Sequence, residues 1–178
     1  VVKATVYDQF VGGETIQDCT RIIDEMYSHG VYSLLDYSIE GKETEVDFDH
    51  TRDKIIDTVR YGSAHEAVPF AVFKVTGIGR FALLEKVSAR EVLSESEVKE
   101  WTRVKERVKA ICQHAHDVKL CVLIDAEESW IQKAIDDLAI EMMSHFNREI
   151  CIVFNTLQMY RHDRLQFLKD SYEEAQKH

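Results

Sequence analysis

Apolar runs alternate with helix-like segments along the chain, and each run ends on a polar side chain. The four runs span residues 31–36, 70–74, 120–125 and 150–155. Their last residues are Asp36, Lys74, Asp125 and Asn155. Continuous Val, Ile and Leu runs are typical of parallel strands that are buried on both faces. Reactive groups of β/α folds collect at the carboxyl ends of such strands, so the pattern predicts a site there.

Apolar residues three and four positions apart predict helices between the runs. Thr15 and Ser94 each precede an acid by three residues, which predicts two capping boxes. Further helices are predicted to end near Ala64, to span 81–87 and 129–145, and to begin near Asp163. Strand starts at 31, 68, 118 and about 149 suit β/α crossovers. We therefore expect an α/β fold of about four strand–helix units and a preceding helix, with a spacing close to that of a (β/α)8 TIM-type barrel.

The length of 178 residues suits one domain with a substantial core. With a single proline, seven glycines and no linker-like stretch, the chain is predicted to form a single domain over residues 1–178. Four parallel strands leave two open edges, and a half barrel exposes its interior face. The chain is therefore either a small open sheet or part of a larger barrel whose other strands lie elsewhere.

Composition narrows the function. The chain has 22 Lys and Arg against 32 Asp and Glu, a formal net charge of -10, which argues against a nucleic-acid-binding protein. The four cysteines and eight histidines lack the spacing of a metal site, so no metal centre is predicted. No apolar run approaches the roughly 18 residues of a membrane span.

Lys74 and Asp125 are the leading candidates for chemistry, because each ends an apolar run. A lysine at a strand end can hold a carboxylate or phosphate as a point charge, or can extend its ammonium group into solvent. Burial or a cationic partner can shift the pKa of an acid such as Asp125. Glu127 and Glu128 are interpreted as the first turn of the next helix, where negative charge is favourable. Asp36 could contribute to the same site, but is interpreted as a helix cap or as part of an ion pair at the rim.

Two polar segments after the strands are further candidates for ligand binding. Gly77 and Gly79 form only Gly-x-Gly, so a dinucleotide fingerprint or a P-loop is not indicated. The segment 155–160 carries amides, which can hydrogen-bond a planar ring system or simply close a loop.

Five segments together resemble the proline dehydrogenase family. The opening segment reads Ala-Thr-Val-Tyr-Asp-Gln-Phe-Val-Gly-Gly-Glu (4–14). The strand-end segments read Leu-Asp-Tyr-Ser-Ile-Glu-Gly (35–41), Phe-Lys-Val-Thr-Gly-Ile-Gly-Arg (73–80), Ile-Asp-Ala-Glu-Glu-Ser-Trp (124–130) and Phe-Asn-Thr-Leu-Gln-Met-Tyr (154–160). Their order and approximate spacing match the family, and the resemblance covers essentially the whole chain.

This resemblance implies a distorted (β/α)8 barrel that holds FAD and oxidises L-proline to 1-pyrroline-5-carboxylate, with electrons passed to membrane quinone. Lys74 would pair with the proline carboxylate. Asp125 would belong to the catalytic group and would also lie against the cofactor. Ala126 would contact FAD through its backbone, and Gln158 would hydrogen-bond the flavin ring. In such an enzyme the protein orients the reactants while the flavin accepts the hydride.

The resemblance also implies that the later half of the barrel is absent from this chain. The absent half would carry an Arg–Gly–Ala–Tyr-like flavin motif, the strand ends that hold the adenine part of FAD, and a pair of arginines that clamp the substrate carboxylate. We therefore expect the N-terminal half of a proline dehydrogenase barrel, inactive alone, with the remainder of the barrel as its partner. The expected location is the cytoplasm, with peripheral contact to the inner face of the bacterial membrane, or the mitochondrial inner membrane in a eukaryote.

Two other functions stay open at this point. Lys74 could be the Schiff-base nucleophile of an aldolase-like barrel lyase. The chain could also be a non-catalytic assembly module whose open sheet edge recruits another chain.

Overall fold

The computed structural model describes residues 11–13, 15–37 and 43–177. Most of the opening segment, and residues 38–41 of the first strand-end segment, lie outside the described residues. The described strands are β1 (Leu34–Asp36), β2 (Phe70–Phe73), β3 (Cys121–Ile124) and β4 (Val153–Asn155). The described helices are α1 (Ile16–Ser28), α2 (Glu45–Ser63), α3 (Phe81–Ser88), α4 (Glu95–Val118), α5 (Gln132–Phe146) and α6 (Arg164–Ala175). A short 3-10 helix, Val75–Gly77, follows β2.

The four strands form one parallel sheet in the order β1-β2-β3-β4. The chain returns through α2 between β1 and β2, through α3 and α4 between β2 and β3, and through α5 between β3 and β4. Parallel strands that pair in chain order, each followed by a helix, are the repeat of a (β/α)8 barrel. The predicted α/β fold, with one helix followed by four strand–helix units, is confirmed.

The sheet has one buried face and one half-exposed face. The buried face, which lies against the helices, is formed by Ala71, Phe73, Val122, Ile124 and Val153. The opposite face, which we call the inner face, is formed by Leu34, Asp36, Phe70, Val72, Cys121, Leu123 and Phe154. Leu34 on this face is 53% exposed, and Val72 and Leu123 are half-buried. The described helices cover only one face, and the exposure of the other is what the sequence analysis expects of a half barrel.

Helices α2 to α5 form the core that covers the buried face. Ile55 and Val59 of α2 are buried, as the helical spacing predicts, and they belong to the same apolar cluster as Val104 and Val108 of α4. The helix layer therefore holds the strands in place from one side and leaves their carboxyl ends accessible.

Side-chain caps fix where α1 and α4 begin. The Thr15 hydroxyl accepts a hydrogen bond from the backbone N–H of Asp18 at 3.2 Å, and the Ser94 hydroxyl accepts one from Glu97 at 3.3 Å. In both cases the acid accepts a bond from the backbone N–H of the capping residue, at 3.0 Å and 2.8 Å, so the two predicted capping boxes are confirmed. Helix α5 begins at Gln132, three residues later than predicted, because hydrogen bonds hold the preceding residues in a loop over the sheet edge.

Gly79 allows the segment after β2 to approach α4 closely. A Cβ atom at this position would lie 2.8 Å from Cγ2 of Val104, which is fully buried. Close packing therefore accounts for the second glycine of the Gly-x-Gly pair.

We expect Gly79→Ala to lower the free energy of unfolding of the 178-residue chain by about 1–3 kcal/mol, because the added methyl group overpacks the core. Gly12→Ala is the matched control, since the one described side chain that its Cβ would meet is that of Cys19, whose Sγ would lie at an ordinary contact distance of 3.4 Å. Urea unfolding followed by circular dichroism measures both changes. An equal loss in the two variants would contradict the packing argument.

Candidate active site

The register of the sheet brings three charged side chains to one place. Asp36 pairs with Val72, and Val72 pairs with Leu123, so these residues share the inner face. Lys74 and Asp125 each lie two residues beyond this row, and side chains two residues apart in a strand point to the same side. The carboxyl ends of β1, β2 and β3 therefore direct an acid, a base and a second acid toward each other.

Lys74 makes an ion pair with both acids. Its Nζ donates hydrogen bonds to Asp125 Oδ2 at 2.7 Å and to Asp36 Oδ2 at 3.1 Å. The side chains of Asp36, Lys74 and Asp125 are 36%, 33% and 30% exposed, so the cluster is open to solvent and to a ligand. The rim ion pair expected of Asp36 is thus present. We call these three residues the rim cluster.

The pKa of Lys74 lies above its ordinary value of 10.5. Partial burial lowers this pKa, but the hydrogen bonds and negative charges of Asp125 and Asp36 together outweigh that effect. The amine is therefore a fixed positive charge at neutral pH. Such a group suits the binding of a carboxylate, whereas a Schiff-base lysine needs a lowered pKa so that its amine is free to attack.

Backbone hydrogen bonds place Ala126 at the edge of the rim cluster. The backbone N–H of Asp125 donates to the Phe73 carbonyl at 3.0 Å, which extends the pairing of β2 and β3 beyond the strand ends. The N–H of Ala126 then donates to Asp125 Oδ1 at 2.9 Å. Both oxygens of Asp125 are thus engaged, one by Lys74 and one by the backbone of the next residue.

Gln158 lies in the loop after β4 and contacts the loop after β3. Its Nε2 donates to the Glu127 carbonyl at 2.5 Å, and its Oε1 accepts a hydrogen bond from Arg161 Nη1 at 3.4 Å. The two residues predicted to contact a flavin, Ala126 and Gln158, therefore lie in neighbouring loops at the same sheet edge. Their contact with a cofactor stays a prediction.

Glu127 is a functional candidate whose predicted place, in the first turn of the next helix, is wrong. It does not belong to the first turn of α5; its carboxylate accepts hydrogen bonds from the backbone N–H of Thr76, at 3.1 Å, and from the Thr76 hydroxyl. Burial raises the pKa of Glu127, and the negative charge of Glu128 adds to this effect, while the Thr76 hydrogen bonds oppose it. The sequence carried no direct signal of this contact, because its two partners are 51 positions apart.

Asn155 ends the fourth apolar run but does not point into the site. It pairs with Ile124, which belongs to the helix-facing side of the sheet. Its Nδ2 donates to Asp136 Oδ1 on α5 at 3.1 Å. The end of a run thus identifies the edge of the sheet, and the alternation along the strand decides which side a residue faces.

The apolar residues beside the rim cluster form the surface on which a ligand could rest. Phe70 and Phe154 of the inner face contact each other edge to face, with ring centroids 5.3 Å apart. Val72 precedes Lys74 by two residues in β2, Leu123 precedes Asp125 by two residues at the end of β3, and both are half-buried. An apolar floor with charged groups at one end suits a small amphipathic substrate or a planar ring.

A family model described as proline dehydrogenase matches residues 19–178 of this chain. The chain belongs to the proline dehydrogenase family. The resemblance predicted from five ordered segments is thereby confirmed, although two of those segments are only partly described by the structure.

The curated relatives are longer than this member of the proline dehydrogenase family. The carbapenem antibiotics biosynthesis protein CarD of Pectobacterium carotovorum subsp. carotovorum is 31% identical over 166 residues, which are 93% of this chain and 44% of that protein. Proline dehydrogenase 1, mitochondrial, of Dictyostelium discoideum is 25% identical over 209 residues, covering 97% of this chain and 36% of that protein. The chain therefore spans less than half the length of these relatives.

Solved structures share the fold of this proline dehydrogenase family chain. Proline utilization A (PutA) from Bdellovibrio bacteriovorus, inactivated by N-propargylglycine, superposes with a TM-score of 0.79 at 14% identity, over 98% of this chain and 19% of that chain. PutA from Corynebacterium freiburgense gives a TM-score of 0.73 at 14% identity, over 99% of this chain and 17% of that chain. At this identity the likeness bears on the fold alone, and it agrees with the predicted barrel-type architecture.

Two other kinds of feature are absent from the described residues. Within the described ranges, no group of three or more His, Cys, Asp and Glu side chains could hold a metal ion. Among the helices of the same ranges, none is long and apolar enough to cross a membrane.

Proposed function

We propose that the protein to which this chain belongs oxidises L-proline to 1-pyrroline-5-carboxylate with FAD, and that the electrons go on to a membrane quinone. Membership of the proline dehydrogenase family supports the reaction class. The observation that carries the proposal is the rim cluster, in which Lys74 lies between Asp36 and Asp125 at the carboxyl ends of adjacent strands.

The charges of the rim cluster suit a zwitterionic amino acid. A lysine ammonium group has three N–H donors. The described contacts use two of them, on Asp125 and Asp36, so the third can bind the carboxylate of proline. The cluster holds two acids and one base, and this excess of negative charge favours the secondary ammonium group of the same substrate. In this proposal Lys74 binds the carboxylate, and Asp125 belongs to the catalytic group beside the substrate nitrogen.

The residues beside the rim cluster fit a flavin ring. The half-buried floor of Leu123 and Phe154 suits the flat apolar faces of the ring system, and these two residues are direct partners across β3 and β4. Ala126 and Gln158 lie in the neighbouring loops at the same sheet edge, beside the place that this proposal gives to the polar edge of the ring. When bound, FAD supplies the acceptor for the hydride that leaves the proline ring. Asp125, held from two sides, orients the substrate against that acceptor.

We also propose that the chain supplies the N-terminal half of the barrel and that the remainder of the barrel covers the inner face. The exposure of Leu34, which is 53%, and the half-buried state of Val72 and Leu123 support this partner, because a closed barrel fills its interior with side chains. The location of the whole enzyme, at the inner face of a bacterial membrane or of the mitochondrial inner membrane, is part of the same proposal. Mitochondrial relatives support the second setting.

The Schiff-base lyase is disfavoured by the rim cluster. Its lysine would need a neutral amine, whereas the ion pairs with Asp36 and Asp125 keep Lys74 charged. Borohydride trapping with a carbonyl substrate would label Lys74 only in the lyase.

The experiment that tests the proposed function compares the 178-residue chain with the product of the complete reading frame that contains it. We expect the complete product to carry flavin absorbance and to reduce a dye with L-proline, and we expect the chain alone to give no turnover. Flavin-loaded complete protein without activity on proline would refute the substrate. Proline turnover by the chain alone would refute its role as an incomplete barrel.

A further inference from the structure

We propose that Glu127 is a positioning residue that joins the loops after β2, β3 and β4, and so fixes Lys74, Ala126 and Gln158 relative to one another. The proposal rests on the proposed function, because it assigns to Glu127 a role in proline and flavin binding. It is carried by the hydrogen bonds of one residue, whose side chain, N–H and carbonyl each hold a different segment of the chain.

The side chain of Glu127 connects the loop after β3 to the loop after β2. Its two carboxylate oxygens accept hydrogen bonds from the backbone N–H and the hydroxyl of Thr76. Thr76 lies two residues after Lys74, and Glu127 lies two residues after Asp125. The contact therefore lies just beyond the ion pair of Lys74 and Asp125, and it joins the segments that follow the same two strands, β2 and β3.

The backbone of Glu127 connects the same loop to α5 and to the loop after β4. Its N–H donates to Gln132 Oε1 at 2.8 Å, and its carbonyl accepts from Gln158 Nε2 at 2.5 Å. Gln132 is 1% exposed, so this partner is fixed inside the helix layer. Both peptide groups that flank the Glu127 Cα atom are thus bound to side chains that the fold holds in place.

A buried acid on α5 anchors this arrangement. Asp136, whose side chain is 3% exposed, accepts hydrogen bonds from Gln132 Nε2 at 3.0 Å and from Asn155 Nδ2 at 3.1 Å. Its other oxygen pairs with Arg164 Nη1 at 2.5 Å, at the start of α6. Asp136 is thus hydrogen-bonded at both oxygens and ties Gln132 to β4 and to α6. Glu127 is therefore held in place by contacts to the helix layer rather than by contacts to solvent-exposed loops.

The expected consequence is a loss of order at the rim cluster when the Thr76 contact is removed. Lys74 has to present its third N–H to a substrate carboxylate while it pairs with two acids, and small displacements of a binding group weaken binding strongly. Lys74 and Ala126 lie in the two segments that Glu127 joins, so both proline binding and flavin binding should weaken together.

Hydrogen exchange in the 178-residue chain tests the contact without any assay of activity. We expect the Thr76 amide to exchange at least ~10-fold faster in Glu127→Ala, less so in Glu127→Gln, and within about twofold of the unchanged chain in Glu128→Ala. Glu128 is the matched control, because it is the neighbouring acid and its side chain is exposed. The Val122 amide, which donates to the Ile152 carbonyl at 2.8 Å, is the internal reference for the core. Equal acceleration at Thr76 and Val122, or none at Thr76, would overturn the proposal.

The complete enzyme tests the consequence for the site. We expect Glu127→Ala and Thr76→Val to raise KM for L-proline about 3- to 10-fold and to speed FAD release, with a smaller change in kcat, while Glu128→Ala changes none of these. If Glu127→Ala does not fold, Thr76→Val still removes one of the two hydrogen bonds and decides the question. Unchanged KM and FAD release in Thr76→Val would overturn the positioning role. If the enzyme without substitutions fails to oxidise proline, the proposed function is refuted instead. The hydrogen-exchange result would then still decide whether Glu127 holds Thr76.

Discussion

Replacing Lys74 with methionine should lower kcat/KM for L-proline by roughly 10- to 150-fold in the complete enzyme, because a hydrogen bond to a charged group contributes about 1.5–3 kcal/mol. Methionine keeps most of the aliphatic side chain but removes the ammonium group that lies between Asp36 and Asp125. The loss should appear mainly as a higher KM, since the carboxylate of proline is bound before and during the reaction. Steady-state dye reduction at varied proline concentration measures it.

The control for this variant separates charge recognition from general damage. Lys133→Met removes an exposed lysine on α5 that pairs with Asp137 at 2.9 Å, and it should leave kcat/KM unchanged. Pyrrolidine, which lacks the carboxylate, provides the second comparison: Lys74→Met should reduce the preference for proline over pyrrolidine. If the variant lost activity equally on both amines, Lys74 would not be the carboxylate-binding group.

The meeting of Lys74 with Asp125 could be predicted from the sequence because it follows from strand geometry. Each residue closes an apolar run, the runs are parallel neighbours, and a shared register brings their carboxyl ends together. The exposure of the inner face does not follow from the apolar runs themselves; it is expected only because a half barrel leaves its interior uncovered. The apolar run at residues 31–36 would have the same composition in a half barrel as in a complete one.

The support of the site was beyond the reach of sequence patterns. Glu127 looks like an acid in the first turn of a helix, and Asp136 looks like an ordinary polar position on α5, yet both bind partners that are remote in sequence. Asn155 faces the helices because it follows Phe154, a residue of the inner face, by one position. Periodicity identifies elements and faces, whereas long-range polar pairing depends on how the elements pack.

Replacing Arg107 with methionine should lower the free energy of unfolding of the 178-residue chain by roughly 2–3 kcal/mol. Arg107 on α4 is 3% exposed, its Nε donates to Asp49 Oδ1 at 2.8 Å, and its Nη1 donates to the Ile78 carbonyl at 3.3 Å. Its Nη2 pairs with the carboxylate of Glu45, so the guanidinium group joins α2 to α4. The expected loss falls below the 3–5 kcal/mol typical of a broken buried pair, because Glu45 and Asp49 stay 39% and 49% exposed and water can solvate them.

The pH dependence of this loss identifies its electrostatic part. The pKa of Glu45 is lowered from 4.5 to about 2, chiefly by the hydrogen bond from Arg103, against the effect of burial and with a further contribution from Arg107. A lowered pKa in the folded state contributes stability that is present above pH 4.5 and is lost as the pH falls toward 2. The difference in the free energy of unfolding between the unchanged chain and Arg107→Met should therefore become smaller as the pH falls from 4.5 toward 2. Arg60→Met, which breaks an exposed pair with Asp57, should cost less than about 1 kcal/mol at any pH. Equal losses for the two arginines in urea unfolding at pH 7 would show that burial of Arg107 adds nothing to the stability of the helix layer.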